Sequence, residues 1–442
     1  MLKNNIERLY IRKRTASEWL VFSILILPFV FATLIEFFHF PDIIRFVIDG
    51  FLAFFVISFI IKKRLIVFKS YYSLLILVTV FFIYTLIVYF ANYQSVFYYI
   101  WGFRNNFRFY IAFFVYVLFF SEEDAENYLK LFDIIFWINF VVCLIQYFVL
   151  SYEQDNLGGL FGVERGCNAY INLFFCIVVT KSFIYYLNKK EKIWVMILKF
   201  AAALIIVSLA ELKFFYIEII VIVCAAVLIT DFTWRKLFII FITFVGVAFG
   251  IIILTSVFPQ FANYFVIDSM IASLSSDKGY TNSQDINRLT ALPIISKNIL
   301  TEFHEKIFGL GLGNCDLSSI ELLNTPFYNE YSQLNYNWFS VSFLFLETGY
   351  IGLLIFILFY IICFILCLKM CKSGTAGKDF CHLAMIMCII CILSVMYNSA
   401  LRLEIAYVVY FVLALPFISV KRKNTYNLNS DNQMQAIPAN GG

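Results

Sequence analysis

The chain has 442 residues, of which 62% are hydrophobic and only 14% charged, and its formal net charge is +4. Soluble domains run near half apolar and a quarter charged, so this composition excludes an ordinary soluble fold. The basic excess is small and scattered, which argues against nucleic acid as a partner. Eleven cysteines, an odd number lying mostly in apolar runs, exclude a secreted disulfide scaffold.

Apolar runs of about 20 residues, the length of a membrane-crossing helix, recur along the whole chain. They predict an all-α polytopic membrane protein of about twelve spans with the lipid bilayer as its surroundings. Residues 1–18 form a polar, basic N-terminal segment. The first span, 19–38, is too long and too poorly followed by small residues to be a cleaved leader. Spans at 43–61, 72–91, 102–120, 131–150 and 167–188 follow. Residues 193–230 hold neither Pro nor Gly, and as one helix they would be about 57 Å long, nearly twice a bilayer core. The polar string Ser208-Leu-Ala-Glu211-Leu-Lys213 is therefore read as a tight turn between spans 193–210 and 213–230. A ninth span at 237–257 closes the membrane block 19–257. Residues 258–336 form one large loop, residues 337–420 hold spans 338–368, 381–400 and 403–420, and the Asn/Ser/Gln-rich tail 421–442 is expected to be disordered.

Lys and Arg gather on the side shared by the two termini, so both termini are expected inside and the long loop outside. Within spans, Lys181 and Lys199 are expected to snorkel toward the inner headgroups. The informative cations are those at outer span ends: Arg104 and Arg108, which share one helix face at a spacing of four, together with Arg165, Lys213, Arg288 and Arg402. Local acids offer partners for some, as Glu211 does for Lys213 and Glu404 for Arg402; Asp49 likewise stands four residues from the in-span Arg45. Gathered by the bundle, the outer cations would suit a diphosphate, because guanidinium forks match phosphate oxygens.

The loop is rich in aromatics, among them Tyr264, Phe265, Tyr280, Phe327, Tyr331 and Tyr336. Such residues with Asn and Asp suit sugar rings, and equally suit capping of the bundle at the interface. Cys167 and Cys315, both expected near the outer face, are positioned where they could pair. Gly309-Leu-Gly311-Leu-Gly313 follows no βαβ pattern, so it predicts a tight turn with close backbone approach, not a nucleotide site. Glu347 stands in an apolar run just before Gly349 and Gly352, which suggests a broken helix near the outer face. That carboxylate is a candidate general base or a structural ion-pair partner. The three His are scattered, so no metal centre and no cofactor is expected.

The layout, together with Asn287-Arg288-Leu-Thr-Ala-Leu-Pro293, the run Ile307–Asn314 and Glu347-Thr-Gly349-Tyr-Ile-Gly352, resembles the O-antigen polymerase and ligase superfamily. These are membrane glycosyltransferases of bacterial surface-glycan assembly, of GT-C-like architecture. The resemblance implies an enzyme of the bacterial cytoplasmic membrane that joins oligosaccharide repeat units, carried on undecaprenyl or another polyprenyl diphosphate, into O-antigen, capsule or exopolysaccharide. It implies that Arg288 is catalytic, with Arg104, Arg108, Arg165, Lys213 and Arg402 holding the diphosphate. Where the family carries a His about nine residues before its Glu, this chain has Trp338. The base then falls to Glu347 or to a loop carboxylate such as Asp285. A flippase and a chain-length regulator are the implied partner proteins. Alternatives are a ligase moving finished polymer to an acceptor and, from another class, a lipid-linked oligosaccharide flippase or transporter.

Overall fold

The computed structural model describes residues 15–62, 70–230, 233–259, 285–288, 290–316 and 324–435, with side chains as far as Val420. Every regular element among them is helical. Helices α1 (Ala16–Ile26), α2 (Val47–Lys62), α3 (Tyr72–Ala91), α4 (Val96–Phe119), α5 (Glu122–Phe148) and α6 (Asn168–Leu187) come first. Next are α7 (Ile193–Leu209), α8 (Lys213–Ile229) and α9 (Trp234–Val257). The long loop contributes α10 (Ala291–Asn298), α11 (Phe303–Phe308) and α12 (Pro326–Tyr331), and α13 (Ser340–Ser373), α14 (Lys378–Tyr397) and α15 (Ile405–Gln435) end the chain. Seven of the described helices are long and apolar enough to cross a membrane: α2 with its leading turn, α3, α5, α6, α9, α13 and α14. The chain is an all-α polytopic membrane protein.

Burial separates posts from rim. The apolar window of α6 is 89% buried and that of α2 only 17%, so α6 is a central post and α2 lies at the edge. Lipid tails are as apolar as Leu, so helix association rests on packing rather than on a hydrophobic drive. Here the packing is aromatic. Tyr110 and Phe113 of α4 set their rings edge-on to Phe359 of α13, at 4.8 and 5.7 Å between centroids, and Phe109 does the same to Tyr407 of α15 at 4.8 Å. Each such pair contributes about 0.5–1.5 kcal/mol beyond burial.

The first span is not one helix. Pro28 cannot donate to the ladder, and the chain passes through a 3₁₀ turn (Leu27–Phe29) and a π-helical turn (Thr33–Phe37) after α1. Residues 193–230 do turn back on themselves. Glu211 takes the left-handed backbone conformation (φ 58°) between α7 and α8.

Two charge expectations change. Lys181 and Lys199 do not snorkel; they are 1% and 3% exposed. Asp133 bridges their ammonium groups, at 2.5 and 3.0 Å, and Glu191 closes on Lys199 at 3.1 Å. A buried charge must be paired, and the acids come from α5 (Asp133) and from the turn before α7 (Glu191). The tail differs too. α15 continues to Gln435, because extending a helix already nucleated by packed residues adds a hydrogen bond without a new nucleation cost.

The loop is folded where it is described, through α10 to α12, and its two ends meet where Ile286 N–H donates to Leu334 O at 3.0 Å. Tyr264, Phe265 and Tyr280 lie outside the described residues. Phe327 packs on Tyr331 and Tyr336.

Candidate functional site: a charged cavity at one end of the bundle

The glycine turn and α13 form one unit. Gly349 has φ 62° inside α13 and breaks it. A break leaves the preceding carbonyls without helical partners. Leu310 N–H and Gly311 N–H donate to Leu346 O and Glu347 O at 2.8 and 2.9 Å, and Tyr84 Oη donates to Thr348 O at 2.7 Å. The Glu347 carboxylate, fully buried, accepts Gly313 N–H at 2.7 Å and Cys315 N–H at 3.4 Å through Oε1. On the other side the turn lies against α4. A Cβ on Gly102 would meet the backbone of Leu312 and Gly313, which is the close approach expected of these glycines.

Asp316, at the end of this turn, lines a cavity of about 1330 Å³. The chain reaches it at alternate connections: the break after α1 (Glu36), the turn before α2 (Arg45), the α5–α6 loop (Asp155 to Tyr170), the α7–α8 turn (Glu211, Lys213) and the α14–α15 turn (Arg402, Glu404). The long loop adds Arg288, Asp316 and Asn335, the stretch just after it adds Trp338, and α4 adds Trp101 and Asn105. Alternation of antiparallel helices therefore gathers segments far apart in sequence at one end.

Four of the six cations expected at outer span ends line the cavity: Arg165, Lys213, Arg288 and Arg402. Arg165 lies 3.9 Å from Asp155 and over the Trp338 ring. Lys213 pairs with Glu211 at 2.7 Å; burial raises the Glu211 carboxyl above its ordinary pKa, and the lysine offsets only part of that rise. Arg402 lies on the Phe343 ring and reaches Asp316, not the neighbouring Glu404, at 3.5 Å. Arg288 is exposed to the cavity, its guanidinium 4.5 Å from the Tyr397 ring centre. Tyr397 stacks in turn on Phe214 at 4.0 Å. Among the described residues no carboxylate lies within ion-pair distance of Arg288.

Arg104 and Arg108 do not line the cavity. Arg104 binds Asp49 at 2.7 Å and covers Phe46 and Trp101. Arg108, buried, faces Glu404 at 3.6 Å and donates to Arg402 O at 3.0 Å. They brace the site from below. Arg45 pairs with Glu404, not with Asp49. Asp285 accepts from the Asn335 amide at 2.7 Å and stands behind it. Glu347 stands behind the glycine turn. Cys167 and Cys315 carry free thiols, both buried.

Sequence reasoning did not single out Asp316 or Tyr397, and named Glu404 only as a local partner for Arg402. Asp316 carried a usable signal, since it ends the run Gly309-Leu-Gly311-Leu-Gly313-Asn-Cys-Asp316 whose glycines already implied close packing.

The amide of Asn168 ties two walls together, donating to Asp155 Oδ1 at 3.0 Å and to Ala210 O at 3.1 Å. Removing it leaves the buried Ala210 carbonyl without this donor. Asn168→Ala is expected to destabilise the purified protein by about 1–3 kcal/mol, read as a lower melting temperature in detergent.

No protein-family model matches this chain, and a search of curated proteins returns no match.

Proposed function

We propose that the chain is a polysaccharide polymerase of the O-antigen type. It would transfer a growing glycan from a polyprenyl diphosphate onto the next lipid-linked repeat unit, at the outer face of a bacterial cytoplasmic membrane. In this reading α1 to α9 and α13 to α15 make twelve crossings, both termini are cytoplasmic, and the cavity faces outward. The observation that carries it is Arg288: an exposed guanidinium, oriented by an aromatic ring and without an ion-pair carboxylate among the described residues, in a cavity large enough for sugar units. Diphosphate departure from an anomeric carbon develops negative charge, and fixed cations in a partly enclosed site stabilise that charge most effectively. Arg165, Lys213 and Arg402 supply further positive charge, tempered by their acidic partners.

The test is deletion of the gene followed by sizing of surface glycans and lipid-linked glycans on a gel. Retained single repeat units without the long ladder are the expected result. Finished polymer stranded on its lipid carrier would identify a ligase instead. Single units trapped on the cytoplasmic face would identify a flippase, and an unchanged profile would sink the glycan reading.

A further inference from the structure

A glycosyl transfer needs a group to take the proton of the acceptor hydroxyl, and the position where the family carries His holds Trp338. The geometry points to Asp316 as that base; this rests on the polymerase reading above. Six carboxylates line the cavity: Glu36, Asp155, Glu164, Glu211, Asp316 and Glu404. Four are engaged in holding the walls. Glu404 is gripped by Arg108, Arg45 and the Tyr170 hydroxyl, the last at 2.6 Å. Glu36 accepts the backbone N–H of Val163. Glu211 is paired with Lys213, and Asp155 with Asn168 and Arg165. Glu164 is exposed.

Asp316 differs in place and in support. It lines the cavity yet is only 7% exposed. The Asn105 amide donates to its Oδ2, and Arg402 stands 3.5 Å from both its oxygens. A general base must be held in a fixed orientation beside the hydroxyl whose proton it accepts, and the Asn105 amide and the Arg402 guanidinium together fix the Asp316 carboxylate. The backbone just before it is clamped, since Cys315 N–H donates to Glu347 and Tyr336 Oη donates to Cys315 O at 2.6 Å. The two other candidate carboxylates lie outside the cavity. Glu347 holds the turn that carries Asp316, and Asp285 orients Asn335.

The step balances as follows. The acceptor hydroxyl gives its proton to Asp316 while its oxygen lone pair forms the bond to the anomeric carbon of the donor. The bond from that carbon to the diphosphate oxygen breaks, and its electron pair leaves on the polyprenyl diphosphate, held by Arg288 and its neighbours. Asp316 then returns the proton to water. Nothing is oxidised or reduced.

The experiment uses full-length protein in nanodiscs, supplied with lipid-linked repeat units extracted from the deletion strain. Initial extension rates are read by gel. Asp316→Asn is expected to lose roughly 10²–10⁴-fold in kcat, with KM for the lipid-linked unit within a few-fold of wild type. Asp316→Ala should regain part of its rate in added formate, which restores a carboxylate. An Asp316→Asn rate within about threefold of wild type, or no recovery of Asp316→Ala in formate, would overturn the assignment. If Asp316→Asn melts early, Asp316→Glu decides: a rate well above that of Asp316→Ala supports the base, and an equal rate overturns it. Absence of extension by wild-type protein is a separate outcome that removes the polymerase reading itself.

Discussion

Arg288→Ala should lower polymer formation by roughly 10²–10³-fold, the usual loss when one fixed donor to a developing charge is removed. The protein should reach the membrane in normal amount and melt at its normal temperature. Both halves of this expectation come from its surroundings. The side chain is exposed to the cavity and leans on Tyr397 instead of filling a core gap, so truncation leaves no void. Its charge is not tied into an ion pair among the described residues, so its loss falls on the substrate. The other lining cations differ in this respect. Lys213 is 2.7 Å from Glu211, and Arg402 is 3.5 Å from Asp316. Removing either disturbs an acid as well as any bound anion. Arg288→Lys should recover only part of the rate, since an ammonium neither forks to two phosphate oxygens nor stacks flat on a ring. Ladder length in a deletion strain carrying each variant, beside an immunoblot of its membranes, checks this. A full ladder from Arg288→Ala would remove Arg288 from the mechanism.

Much of the architecture could be read from hydropathy, because membrane helices must satisfy their backbone internally and so announce their lengths. The turn at Ser208 to Lys213 was legible by length alone, as no bilayer accommodates one helix of residues 193–230. The glycine turn was legible as a close-packing element, and Gly349 as a break. Partner choice was not legible. Arg45 has an acid four residues away, yet it reaches Asp42 and, across the bundle, Glu404 of a distant turn, each at 4.0 Å, while Asp49 serves Arg104. Lys181 was expected to reach the headgroups, and instead bound Asp133. In each case the outcome depends on how helices are rotated against one another, which a linear pattern does not specify. Asp316 was legible only in part: the glycines before it implied close packing, but only the folded turn places it in the cavity.

Glu347→Ala should destabilise the protein by about 3 kcal/mol, taking two buried amides that each cost about 1–3 kcal/mol when left unmatched. The amides belong to Gly313 and Cys315, and both now donate to Oε1. Gly313 has no room to find another partner by moving. It already sits at φ 80° against the backbone of Tyr98 and Gly102. Glu347→Gln is the discriminating substitution. The amide oxygen can still accept from both N–H groups, with the weaker bonds of a neutral acceptor, so stability should fall by less than for Ala. Oε2, buried and without a hydrogen-bond partner among the described residues, is the position where the new NH₂ would sit. If Glu347 is a clamp, extension by folded Glu347→Gln protein should stay within roughly tenfold of wild type, well short of the loss expected for removing a general base. Melting curves and initial rates on the same preparation separate the two roles. A wild-type melting temperature combined with a loss beyond about 10²-fold would make Glu347 the chemical group, and would return the glycine turn from a platform for Asp316 to a platform for Glu347 itself.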